Sequence, residues 1–459
     1  MRMSLNNQYR ILTSVLLFLG LLTPSLLLGQ TKDSASLDLS PPEVYWTQVE
    51  RVIEIGLREN PEIAALRLGE SISESELRQV RLFPNPTLSV QLEGGRQGMY
   101  GERMLGIEMP LPLDGRRGAA VRTARASIEE IRFEIADRER LLRRAIRDAV
   151  TAVVAARLRR DFLKLSLELA ERSQTLTSEA VDQGLRAPLE LNKETVFLNG
   201  IRARREMAEA DVTEAEVTLA TLLGRESLTN IGLPESLPGV IHDDVADTLN
   251  KEDLLSKRPD VAASRARIRI SEGLLGEARA GGRPTVDLMF GIREMKSGFP
   301  LKGLNSNGEF SPIEDRMRFT GVGMRIGIPI FNRNQGGISA ATTSVERARR
   351  IATSAEIVAR NEVSTAIVRL RRAKRSLEIM TRGVVQQARD NLRVIALSYE
   401  DGAMSLDEFL RERRAAIDLE LEFIEAARAN AVAETSLLAS LGVTTRCELT
   451  ANCQKEKAK

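Results

Sequence analysis

The chain has 459 residues, 28% of them charged and 42% hydrophobic, with only 4% aromatic and a formal net charge of +2. So few aromatics argue against several compact aromatic-rich cores. Abundant charges of both signs with almost no net balance read as long solvated helix faces rather than as a nucleic-acid-binding domain.

The first element is an apolar run, "ILTSVLLFLGLLTPSLLL" (Ile11 to Leu28), preceded by Arg2 and Arg10 and followed by the polar "GQTKDS". It reads as a signal peptide over residues 1–30 cut near Gly29 or Gln30; the competing reading is a short membrane anchor. No cysteine follows it, which argues against lipidation.

Two segments then repeat. "NPEIAALRLGESISESELRQVRLFPNPTLSVQLE" (Asn60 to Glu93) parallels "RPDVAASRARIRISEGLLGEARAGGRPTVDLMFG" (Arg258 to Gly291). "LPLDGRRGAAV" (Leu111 to Val121) parallels "IPIFNRNQGGI" (Ile328 to Ile338). Pro61 and Pro259 lie 198 residues apart, whereas Pro112 and Pro329 lie 217 apart and Gly184 and Gly402 lie 218 apart. One insertion, between Pro284 and Pro329, accounts for the change, and it falls in the polar stretch Lys296 to Asp315, expected as an external loop. The first repeat is assigned to residues 31–240, with strands at about 87–112, a long helix at 116–183 and a return helix at 188–223. The second occupies 241–443, with strands at about 284–330, a long helix at 338–401 and a return helix at 405–441, and residues 444–459 form a tail.

The predicted strands alternate. Leu88, Val90 and Leu92 in the first copy, and Val286, Leu288, Phe290 and Ile292 in the second, alternate with small or polar residues. A strand with lipid outside and water inside gives this pattern, and so does a soluble sandwich. Four strands cannot close a membrane barrel, and an open edge in lipid leaves backbone groups unsatisfied, so membrane strands would require several chains. Three copies give twelve strands.

The long helices carry apolar stripes at 4,3 spacing: Leu142, Ile146, Ala149, Val153 and Ala156 in one, Ala366, Leu370, Ala373, Leu377, Met380 and Val384 in the other. That is a coiled-coil-like seam, with alanines allowing close approach. Basic runs such as Arg157 to Arg160 and Arg371 to Arg375 sit among acids and read as solvated faces, so no nucleic-acid partner is expected.

Each long helix ends at a break, "VDQGLRAPLELN" (Val181 to Asn192) or "YEDGAMSLDEFL" (Tyr399 to Leu410). Gly184 and Gly402 suit a turn needing positive φ, and Pro188 suits the first turn of a returning helix. Ser405 with Glu408 three residues on has the spacing of a capping box. Cys447 and Cys453 either close a small loop or are free thiols. Enzyme motifs are missing: no phosphate loop ends in Gly-Lys-Ser/Thr, and His242 as the only histidine leaves no histidine-based metal centre and no obvious triad. No enzyme, cofactor or metal is expected.

The duplicated, ordered set of a Pro-bounded helix, the joints "PLPLDGRRG" and "IPIFNRNQGG" and the break "YEDGAMSLDEFL" resembles the TolC-like outer-membrane efflux channels from about Val44 to Val443. "FPNPTLSVQLE" is similar to their heavy-metal-exporting branch. The resemblance implies a mainly α chain with a small β part, assembled as a homotrimer: a twelve-stranded barrel in outer-membrane lipid, continued by a long α-helical barrel in the periplasm. It implies a passive conduit between a periplasmic adaptor, an inner-membrane pump and the exterior. The alternatives are a type I protein-secretion outlet and an exported coiled-coil scaffold that is no channel. It further implies that Gly184, Leu185, Pro188, Tyr399, Gly402 and Ser405 form reversal tips that touch the adaptor. The family's constricting acidic rings map onto Glu408 and Arg411, and the arginine is a departure that casts doubt on a cation-selective gate. Glu408 has two readings at this point, helix cap and gate.

Overall fold

The computed structural model describes residues 39–94, 100–240, 255–401 and 403–443. The signal-peptide segment, Cys447, Cys453, His242 and Gly402 lie outside the described residues.

The elements run α1 (Pro42–Glu59), α2 (Pro61–Arg81), β1 (Thr87–Gly94), β2 (Tyr100–Leu111), α3 (Arg116–Asp182) and α4 (Pro188–Leu223). They continue with α5 (Pro259–Ala280), β3 (Thr285–Leu304), β4 (Phe310–Gly327), α6 (Gln335–Ile379), α7 (Val385–Glu400) and α8 (Leu406–Leu441). A π turn, Met380–Val384, joins α6 to α7. From α2 onward the order helix, strand, strand, long helix, return helix occurs twice. The return helices α4 and α8 have 36 residues each.

The two copies also share their joints. Asn60 caps α2, its side-chain oxygen accepting from Glu62 and Ile63 N–H, and its Nδ2 donates to the Leu222 carbonyl at 2.9 Å. In the second copy Arg258 takes this place and donates from Nη1 to the Ser440 carbonyl at 2.9 Å. Leu222 and Ser440 both sit in the last turn of a return helix, where carbonyls lack intrahelical partners. The next glycines, Gly224 and Gly442, adopt φ +73° and +71°. Arg258 is 2% exposed and is balanced by Asp260 and Glu362, at 2.6 and 2.7 Å.

Helix α3 has 67 residues, about 100 Å at 1.5 Å per residue. Its middle carries Ile146, Val150, Val153 and Val154, all buried against Tyr45, Val49 and Ile53 of α1, Leu219 and Leu223 of α4, and Phe423 and Ile424 of α8. The Tyr45 hydroxyl reaches Thr151 at 2.9 Å, giving a buried polar group its partner. A second apolar cluster near the reversal tips joins Leu163, Phe197 and Ile201 to Phe409, Leu410 and Ile417. The middle and the tip region of the helical part are thus held by different stretches of α3. No described helix is long and apolar enough to cross a membrane.

The second long helix differs from the expectation of an unbroken element. The π turn falls at Gly383, whose Cα faces open space, and Leu377 before it and Val385 after it both reach the central core. A π turn adds a residue to one turn of helix and re-phases the seam, and such turns are frequent at functional sites.

The sheet is antiparallel in the order β1-β2-β3-β4, with β1 and β4 as edges. The insertion expected as a loop is largely paired strand: β3 has 20 residues and β4 has 18, closing at a turn where Asn305 Oδ1 accepts from Asn307 and Glu309 N–H. Asn at the first position of a tight turn and Gly308 at φ +81° account for that compact end.

Candidate functional site

Register sorts the sheet into two faces. Leu88 pairs with Ile107, Ile107 with Phe290, and Phe290 with Val322, giving one apolar row across all four strands. Val90, Leu105, Ile292 and Thr320 form the next row, followed in the other direction by Met109, Leu288 and Met324, then Leu111, Val286 and Ile326. Val322 is 73% exposed and Phe290 49%. The rows span about 20 Å along the strands, near the ~25 Å band of a membrane barrel. The opposite face carries Ser89, Gly106, Gly291 and Gly321 in one row and charged pairs such as Arg293 with Glu102 at 2.6 Å and Arg325 with Glu108 at 2.5 Å. Such a sheet has an apolar side to bury, a polar side to hydrate, and two edges whose backbone groups need partners.

The other end of the molecule is built by the two helix reversals. After α3, Gly184 takes φ +72° and Leu185 N–H returns to the Ala180 carbonyl at 2.8 Å. Pro188 is the first residue of α4, where its missing N–H has no helical partner to lose. In the second copy Ala403 N–H returns to the Ser398 carbonyl at 2.9 Å, 218 residues on from the first. Leu185 is 74% exposed at the outermost turn.

Ser405 caps α8. Its Oγ accepts from Glu408 N–H at 3.4 Å, and the Glu408 carboxylate accepts from the Ser405 hydroxyl at 2.9 Å and its N–H at 3.3 Å. The Ser405 hydroxyl and N–H hold the Glu408 carboxyl below its ordinary pKa, with the Arg411 charge a smaller contribution. Arg411 is exposed and forms no ion pair among the described residues. Ser405→Ala is expected to cost about 1 kcal/mol of helix stability. Faster hydrogen exchange at the first amides of α8 would register it, and unchanged exchange would mean the cap contributes nothing.

Sequence reasoning missed a cluster that ties the two helical hairpins together behind these tips. Arg413 of α8 lies over the Phe197 ring of α4 at 5.1 Å and over Phe409 at 6.0 Å. Phe409 stacks on Tyr399 at 4.6 Å, and Arg186 lies over the Tyr399 ring at 4.6 Å. Glu194 is fully buried; its Oε1 accepts from Ser173 at 3.0 Å and its Oε2 has no hydrogen-bond partner among the described residues. Burial raises the Glu194 pKa, partly offset by the Ser173 bond and the Arg413 and Arg186 charges, and burial lowers that of Arg413. Two outer ion pairs bridge the same hairpins: Lys193 to Asp407 at 2.7 Å and Arg204 to Asp418 at 2.6 Å. The available signal was an acid inside an apolar stripe, since Glu194 precedes Phe197, Leu198 and Ile201 on one helix face.

Residues 52–225 and 251–443 match the family described as outer membrane efflux protein. The chain is 23% identical over 308 residues to the cobalt-zinc-cadmium resistance protein CzcC of Cupriavidus metallidurans, covering 66% of this chain and 67% of that one. It is 24% identical over 253 residues to the pyoverdine export outer membrane protein OpmQ of Pseudomonas aeruginosa, covering 53% of this chain and about half, 47%, of the relative. The fold is similar to that of the CmeC outer membrane channel of Campylobacter jejuni, with a TM-score of 0.73 at 14% identity over 92% of each chain.

Proposed function

Because this chain belongs to the outer membrane efflux protein family, an outer-membrane assignment that its two-faced sheet fits, we propose that it is the passive exit duct of a tripartite efflux system. Three copies would join β4 of one to β1 of the next and close a twelve-stranded barrel. The α3/α4 and α6–α8 hairpins of each copy would continue it as a helical tunnel across the periplasm. The observation that carries this reading is the sheet itself: two rows of one face cross all four strands and two more cross three, all but Thr320 apolar, yet both edges are open. In lipid that arrangement is stable only if the edges are paired, and strand closure between copies pairs them.

The tips would meet a periplasmic adaptor through exposed Leu185 and the turn around Gly184, Pro188, Tyr399, Gly402 and Ser405. An inner-membrane pump would supply the energy, and no catalytic role is assigned to this chain. Among the described residues no group of three or more His, Cys, Asp or Glu is placed to hold a metal ion. A conduit needs no such group, and substrate choice would rest with the pump. The similarity to CzcC favours divalent heavy-metal cations as the cargo. Deleting the gene should lower tolerance to zinc, cobalt or cadmium; unchanged metal tolerance with lost export of pyoverdine would favour the role named for OpmQ instead. A heat-resistant trimer in the outer-membrane fraction is the direct test of the duct, and a soluble monomer would overturn it.

Glu408 and Arg411 are proposed as the charges that narrow the tunnel mouth, Glu408 combining this with its role in the cap. Threefold symmetry would gather three of each, and the exposed Arg411 is free to pair with Glu408 of a neighbouring copy. The Glu408→Ala, Arg411→Ala double variant is expected to raise single-channel conductance in a planar bilayer. Wild-type conductance in that variant would remove both residues from the gate.

A further inference from the structure

Beyond the apolar rows, toward the hairpin ends, the same outer face changes character abruptly. The next row is Leu92, Arg103, Glu294 and Arg318, and the one after it is Gly94, Gly101, Lys296 and Arg316. Gly298 and Glu314 follow. Lys296 is matched by Glu314 at 2.9 Å, and Glu294 stands 4.0 Å from Arg318. Arg103 and Arg316 are exposed and form no ion pair or side-chain hydrogen bond among the described residues. At the same height the inner face carries Glu93, Glu102, Arg293 and Asp315. Outer and inner faces therefore bear opposite net charge at one level of one sheet. A sheet that only needed solubility would have no reason to sort its charges by face.

We propose that this outer-face patch, with Arg103, Arg316 and Arg318 as its anchors, binds the phosphate groups of phosphorylated glycolipid in the outer leaflet. The inference rests on the membrane-barrel reading above. Three features select the occupant. The patch directly adjoins the last apolar row, so anything bound there has its acyl chains against Leu92, Val90 and Leu105. The donors without an ion pair among the described residues, Arg103 and Arg316, are arginines, whose planar guanidinium matches phosphate oxygens two at a time. Arg103 and Arg318 lie two strands apart in one row, about 10 Å, so they reach separate phosphates or span one bulky headgroup. The four strand ends that join helices lie at the opposite end of the sheet, which places the patch at the outer rim.

The test uses purified protein in detergent, with native mass spectrometry reading bound lipid. The probes are phosphorylated lipid A and the same lipid after enzymatic removal of its phosphates. Wild type should retain the phosphorylated form roughly tenfold better. Arg103→Gln combined with Arg316→Gln should reduce that preference to within about twofold, whereas inner-face Arg293→Gln should keep it. Excess inorganic phosphate should fail to displace the lipid. Equal retention of both lipids by wild type overturns the proposal, as does equal loss in the Arg293 variant or full displacement by inorganic phosphate. Planar-bilayer recordings on the same samples separate the two readings. A wild type that forms channels without phosphate preference sinks this inference alone; one that neither trimerises nor inserts sinks the duct as well.

Discussion

Val322→Lys should abolish assembly in the outer membrane. Val322 is 73% exposed and ends the row Leu88, Ile107, Phe290, Val322 near the middle of the apolar band. A lysine at the midplane of a barrel's lipid face costs about 2–4 kcal/mol. Threefold repetition would bring this to roughly 6–12 kcal/mol per assembly, comparable with the whole stability of an ordinary domain. The residue also sits on an edge strand, so the charge would fall beside the joint between copies, where relief by local bending is least available. The paired control is Phe319→Lys, three residues along the same strand and on the opposite face. Facing the watery interior, it should permit assembly and alter only conductance. The measurement is the heat-resistant trimer band in outer-membrane fractions of cells making each variant. A normal trimer from Val322→Lys would mean that this face does not meet lipid, and the barrel would have to be abandoned.

The contrast between those two positions was legible in the sequence because strand periodicity is a local property. Residues two apart share a face whatever the neighbours do, so alternation at Leu88, Val90 and Leu92 identifies the face without knowledge of the pairing. The reversals were legible for a related reason: Gly184 needs positive φ and Pro188 needs a helix start, both properties of single residues. The duplication was visible because two copies kept an offset of 217 to 218 residues over half their length.

What escaped the sequence depends on distant partners. The π turn at Gly383 follows from Leu377 and Val385 both having to reach one core, a constraint imposed by α1, α3 and α8. Only the far end of the β3/β4 hairpin, Lys296 to Asp315, reads as a loop, because its residues are polar and glycine-rich, and pairing between its two arms makes most of it strand. The Arg258 bond to Ser440 and the Glu194–Arg413 cluster join residues about two hundred positions apart. Nothing in either local stretch specifies the other, so a buried Glu reads as one more charge in a charged helix.

That buried cluster is where a single substitution in the helical part should do the most. Arg413 is 9% exposed, and Glu194 is fully buried with one carboxylate oxygen unbonded among the described residues. Arg413→Ala removes the cation, opens a gap between Phe197 and Phe409, and strands the carboxylate. Glu194 and Arg413 feel each other's charge without a salt bridge between them, so the loss should fall short of the about 3–5 kcal/mol that breaking a directly paired buried ion costs. The loss falls on the contact between the α3/α4 hairpin and α8, so the tips should separate more readily and the bilayer conductance should rise. Replacing both partners together, Glu194→Gln with Arg413→Met, should recover much of the stability, since an uncharged, well-filled site has no stranded ion. Acid should help the single variant too. With Arg413 gone, the folded-state pKa of Glu194 rises further above its ordinary value. Folding then takes up a proton, and stability increases as the pH falls through that raised value toward the ordinary carboxylate range. Melting of Arg413→Ala should therefore lie farther below wild type at about pH 8 than at about pH 5. A deficit independent of pH, or a double variant no more stable than the single one, would show that Arg413 acts through its packing on the two phenylalanines and not as the counter-ion of Glu194.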